Sequence, residues 1–135
     1  MQKRGILNPL LPWVLSCLGH KDIILIVDAG FPIPEEVERV DLAVAPNIPR
    51  FIDILNVILK EIIVERVIIA CETKNVSPHV YNEIIKSLKE TQGNIPVEEI
   101  SHEELKALST KAKAIIRTGE FTPYANVALV SGVPF

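Results

Sequence analysis

Short, unbroken apolar runs recur along this chain, and they limit its fold more than any other feature. The clearest is Ile23-Ile24-Leu25-Ile26-Val27, bounded by Asp22 and Asp28. Glu65–Cys71, Ala112–Arg117 and Asn126–Val130 are of the same kind. A strand with one wet face alternates polar and apolar residues, so a continuous run of this length reads as a strand buried on both faces. Val40–Val44 and Ile95–Ile100 read as further strands.

Helical punctuation lies between the runs. Asn8 is a good N-cap, and Pro9 stands at the first helical position, where its missing N–H is harmless. Leu10, Trp13 and Cys17 fall on one face of that helix, and Gly19 is the expected left-handed stop. Pro49 starts a helix to about Ile62, and Ser77-Pro78 caps one to about Glu90. Ser101-His102-Glu103-Glu104 fits a capping box. The alternation predicts a single α/β domain over residues 1–135, a three-layer α/β/α sandwich with a mainly parallel central sheet.

Composition removes several function classes. The formal net charge is -3 with both signs dispersed, so no basic stripe exists for nucleic acid. The most apolar region, Ile52–Cys71, is broken by Asp53, Lys60, Glu61, Glu65 and Arg66, so no membrane span is expected. The segment after Lys3 and Arg4 does not read as a signal peptide. Cys17 and Cys71 fit a reducing compartment and are expected as buried core thiols. Hydrophobic residues make up 48% of the chain and aromatics only 5%. With a mean hydropathy of +0.29, some apolar surface is expected to lie between subunits.

No phosphate-binding loop, dinucleotide fingerprint or nucleophile elbow is present. His20, His79 and His102 are not spaced as a metal site. Acid–base chemistry remains, and the polar residues at strand ends and helix starts are its candidates. In open α/β sheets ligands bind at such places. Each has an ordinary structural explanation as well. His20 follows a helix end, where the dipole favours it, and Asp28 suits a turn at Ala29-Gly30. His102 fits an exposed first turn, and Tyr124 and Asn126 fit loop packing around Ala125. Together they also supply what a sugar site needs: a carboxylate and an amide for hydroxyls, an aromatic face for C–H groups, and a histidine able to move a proton.

The chain resembles the D-ribose pyranase (RbsD/FucU) family along essentially its whole length. The resemblance rests on Lys3-Arg4-Gly5-Ile6-Leu7-Asn8, Leu18-Gly19-His20, Asp28-Ala29-Gly30-Phe31-Pro32 and Ile100-Ser101-His102-Glu103-Glu104. The most specific stretch is Ile116-Arg117-Thr118-Gly119-Glu120-Phe121-Thr122-Pro123-Tyr124-Ala125-Asn126. L-fucose mutarotases read Asp-Ala-Asn where this chain has Asp28-Ala29-Gly30, and lack the Glu120-Phe121-Thr122-Pro123 string, which favours ribose.

The resemblance implies an RbsD-like fold, with His20 as catalytic acid and Asp28, His102, Tyr124, Ala125 and Asn126 binding D-ribose. It implies a cytoplasmic homo-oligomer, a pentamer or decamer, with sites near subunit boundaries and a functional link to ribokinase. The implied reaction interconverts β-D-ribopyranose and β-D-ribofuranose through the open-chain aldehyde. It needs proton transfers and orientation, hence no cofactor and no metal. Within the chain, His20 is expected to face the strand end that carries Asp28. A general aldose or L-fucose mutarotase, and a non-catalytic sugar-binding accessory of ribose uptake, are the alternatives.

Overall fold

A computed structural model describes residues 1–135. The elements are α1 (Leu10–Ser16), β1 (Ile23–Val27), β2 (Glu38–Asp41), α2 (Phe51–Leu59), β3 (Val64–Ala70), α3 (Cys71–Val76), α4 (Pro78–Gln92), β4 (Val97–Ile100), α5 (His102–Ser109), β5 (Ala114–Arg117) and β6 (Val127–Ser131). The six strands form one sheet in the order β2-β5-β1-β6-β3-β4. β1, β2 and β5 pair in parallel, as do β3 and β4, while β6 runs antiparallel to both of its neighbours, β1 and β3. The mainly parallel sheet is therefore present, with one reversed strand at its centre.

The apolar runs are explained by cover on both faces. Alternate β1 residues point opposite ways. Ile24 and Ile26 join a core with Leu11 and Val14 of α1, Leu55 and Ile58 of α2, and Ile84 of α4. Leu25 and Val27 join a second core with Phe31, Val37 and Leu105 of α5. The edge strands differ in kind. β2 reads Glu-Arg-Val-Asp and β4 Val-Glu-Glu-Ile, and such charges discourage another strand from pairing there.

Several local expectations need correction. The second strand ends at Asp41, not Val44. The Asp41 carboxylate accepts the Ala43 N–H at 3.2 Å and turns the chain off the sheet, leaving Val44 exposed. Gly19 is not left-handed: its N–H is held by Asp22 Oδ2 at 2.8 Å, and Lys21 takes the positive φ of 69° instead. Cys17 is exposed and Cys71 half-buried, so they are not a pair of buried core thiols. The α1 face turned to the core is Leu11, Val14 and Leu15, which leaves Trp13 55% exposed. α2 stops at Leu59 and α4 runs on to Gln92. The short helix α3 is an addition to the elements expected from the sequence.

Two N-terminal caps match expectation. Asn8 Oδ1 accepts the N–H groups of Leu10 and Leu11 at 3.0 and 2.9 Å. Ser101 Oγ accepts the Glu104 N–H at 3.1 Å and donates to the Glu104 carboxylate at 3.0 Å. That cap fixes where α5 begins, and so places His102.

Candidate active site

β1, β3, β4 and β5 point the same way, so the residues after them share one edge of the sheet. The reversed β6 begins on that edge, which brings the segment before it, Tyr124-Ala125-Asn126, to the same place. A cleft of about 590 Å³ opens there. Asp28, Phe31, His102, Arg117, Glu120 and Tyr124 are among its lining residues.

Asp28 and the fully buried Asn126 form a reciprocal pair. Asn126 Oδ1 accepts the Asp28 N–H at 2.8 Å, and its amide N–H₂ donates to Asp28 Oδ2 at 3.1 Å. The Gly30 N–H donates to Asp28 Oδ1 at 2.9 Å, the turn bond expected of this residue. Burial pushes the Asp28 carboxyl above the usual aspartate range, and the bonds from Gly30 and Asn126 and the nearby His102 offset this only in part. Its oxygens are thus fixed in place, and its carboxylate is a stronger base than one in water.

His102 also lines the cleft. Its ring stands edge-on to Tyr124, with centroids 5.0 Å apart, and to Phe31 at 5.9 Å. Its Nδ1 is buried with no partner. Tyr124 has a left-handed backbone, φ 61°. Ala125 is buried in the larger core and spaces Tyr124 from Asn126. The loop from Thr118 to Thr122 is knitted to its surroundings. Glu120 C=O accepts the Ala29 N–H at 2.9 Å, and its carboxylate accepts from Phe51 N–H and the Thr122 hydroxyl at 3.0 and 2.9 Å.

Gly119 is required by close approach. A Cβ there would collide with the carbonyl oxygens of Ile48 and Ala45. Gly119→Ala is therefore expected to destabilise the protein by about 1–3 kcal/mol, the usual cost of overpacking. Thermal unfolding followed by circular dichroism checks this, and an unchanged Tm would show that the 45–48 segment yields freely.

His20 is not at this cleft. It precedes β1 and its Nε2 lies 2.9 Å from Glu65 Oε2, at the start of β3. Its neighbour Lys21 donates its N–H to Ser131 C=O, at the end of β6. All three mark the sheet edge opposite the cleft. The five residues of β1 alone separate the edges by roughly 16 Å at the rise of a strand. The expectation that His20 faces Asp28 within one chain is corrected accordingly, while Asp28, His102, Tyr124, Ala125 and Asn126 do come together.

The profile of the RbsD / FucU transport protein family matches residues 1–134. The chain belongs to the RbsD/FucU family. Within it, a D-ribose pyranase of Coprothermobacter proteolyticus is 51% identical over the full length of both chains. The structure of Bacillus subtilis RbsD complexed with D-ribose is 45% identical, also over all of both chains, with a TM-score of 0.91. A fucose mutarotase from Streptococcus pneumoniae, solved with L-fucose, shares the fold at 24% identity and a TM-score of 0.79, covering 95% of this chain and 94% of its own. Sequence motifs miss Glu72 and Thr73, whose side chains bond the His102 backbone N–H and the Tyr124 C=O, while Ser77, expected only as a helix cap, makes no side-chain cap bond and donates its hydroxyl to Pro123 C=O instead. Glu72 and Thr73 occupy a short polar stretch without periodicity and carry no signal of their own.

Proposed function

We propose that this chain is a D-ribose pyranase, working as one domain that interconverts β-D-ribopyranose and β-D-ribofuranose. The observation that carries the reading is the fixed Asp28–Asn126 pair in a sugar-sized cleft, in a chain 45% identical throughout to a ribose-complexed RbsD. Opening the pyranose breaks the bond from C1 to the ring oxygen. The anomeric hydroxyl loses a proton and the ring oxygen gains one. The hydroxyl on C4 then adds to the aldehyde and closes the furanose. Asp28 and Asn126 hold sugar hydroxyls, while His102 and Tyr124 fix the ring's position. His20 protonates the ring oxygen. These steps need only proton transfer and orientation, so no cofactor enters.

Because His20 and the cleft lie on opposite edges, His20 must reach the sugar from a second copy of the chain. Such head-to-tail contacts use two different patches and close into a ring when the rotation between copies divides a full turn. Exposed apolar residues support this at both edges: Phe121, Ile48 and Val44 beside the cleft, and Ile63 and Phe135 on the His20 side. The assembly is a pentamer or decamer. Light scattering at micromolar concentration is expected to give such a ring, and a stable monomer would contradict the shared site. No helix is long and apolar enough to cross a membrane. A cytoplasmic location, with a ribokinase consuming the furanose, completes the proposal.

Saturation-transfer NMR on D-ribose tests the function. The protein is expected to accelerate exchange between pyranose and furanose signals. Faster exchange only between α and β anomers would indicate a general aldose mutarotase. Shifted or broadened ribose signals without faster exchange would indicate a sugar-binding accessory.

A further inference from the structure

The helix α3 is six residues long, and its one fully buried side chain is a threonine, Thr73, 0% exposed. A valine has the same shape and buries more easily, so a hydroxyl in this place needs a reason. It has a single bond, donated across the fold to the Tyr124 C=O at 2.7 Å. Tyr124 is one of the few residues with a side chain that takes a positive φ here, a conformation held only where the surroundings fix it. The Asn126 N–H donates to the same carbonyl at 2.9 Å, so Tyr124 is clamped from two directions.

The neighbours of Thr73 act alike. Glu72 Oε2 accepts the His102 N–H at 2.7 Å, at the first residue of α5. Its other oxygen accepts the Cys71 thiol at 2.7 Å. Ser77, at the end of α3, donates its hydroxyl to Pro123 C=O at 2.7 Å. One short segment therefore holds both members of the edge-on His102–Tyr124 contact, from behind the cleft and without lining it.

We infer that Thr73 is a positioning residue: its hydroxyl holds Tyr124 left-handed and thereby sets the Tyr124 ring against His102. The kinetic part of its test rests on the ribose-isomerase reading, and the spectroscopic part does not. Thr73→Val removes the hydroxyl and keeps the shape. Thr73→Ser keeps the hydroxyl and loses a buried methyl.

Both variants are compared with the unaltered protein by ribose exchange NMR and by ¹H–¹⁵N spectra of the histidine rings. In Thr73→Val, kcat/KM is expected to fall by up to roughly 100-fold, as when a site group is displaced by about an ångström. The His102 ring signals are expected to move while those of His79 stay. Thr73→Ser is expected to restore both, although its Tm falls. Should Thr73→Val not fold, Thr73→Ala takes its place with the same expected outcome. Wild-type exchange with an unmoved His102 in the hydroxyl-less variant would overturn the inference, as would a serine variant as impaired as the valine one. If the unaltered protein exchanges no ribose, the functional reading fails, and the His102 signals still decide the role of Thr73.

Discussion

His20→Ala is expected to lower catalysed pyranose–furanose exchange by roughly 10²–10⁴-fold, the usual loss when a positioned general acid is removed. The fold should be almost untouched. The His20 side chain is half exposed, and its one partner is Glu65 on the surface, a pair worth at most about 1 kcal/mol. The cleft of the same chain should keep its shape, because none of its bonds involves His20. Exchange NMR with circular dichroism checks both halves, and His79→Ala, on an exposed turn of α4, is the control. Near wild-type exchange by His20→Ala would make the histidine a surface residue and require another proton donor.

Asp28→Asn is expected to weaken ribose binding as well as rate. It removes a charged acceptor while keeping the side chain's shape. A hydrogen bond to a charged group contributes about 1.5–3 kcal/mol, so affinity should fall roughly 10- to 100-fold per sugar hydroxyl released. The pH dependence follows from the same burial. The Asp28 carboxyl is raised, so it takes up its proton at a higher pH than a free aspartate. Activity should therefore fall on the acid side while ordinary aspartates are still ionised, and the Asp28→Asn variant should lack that limb. Stability has the opposite sign. A raised carboxyl favours the folded state at acid pH, and that contribution is lost as pH rises through the folded value. The ionised group thus works against folding at neutral pH, where the proposed chemistry needs it. Calorimetry for ribose binding and a rate profile against pH measure both. An acid limb at the ordinary aspartate position would show that Asp28 is not the group that titrates.

How much of this was legible in the sequence depended on how local the cause was. The run from Ile23 to Val27 announced its own burial, because every residue faces a core on one side or the other. The caps at Asn8 and Ser101 were legible because the bonds span two or three residues. The α1 face was not legible. Leu10, Trp13 and Cys17 form as apolar a stripe as Leu11, Val14 and Leu15, and only the sheet decides which one packs. α3 was silent because its residues are mostly polar and act through distant backbone atoms. The placing of His20 failed for a similar reason. Eight positions separate it from Asp28 in the chain, but an extended strand runs between them and carries them to opposite edges. The motifs identified which residues belong to the site without saying that one chain does not bring them together.

Subunit mixing tests the shared site most directly. His20→Ala and Asp28→Asn chains, each impaired alone, are dissociated, mixed one to one and reassembled, with native mass spectrometry to verify mixed rings. At some boundaries an intact cleft from a His20→Ala chain then meets an intact His20 from an Asp28→Asn chain. With random assembly this holds at roughly a quarter of the boundaries, so about that share of wild-type ribose exchange should return. Mixed rings no more active than the two variants measured separately would contradict a site built from two chains.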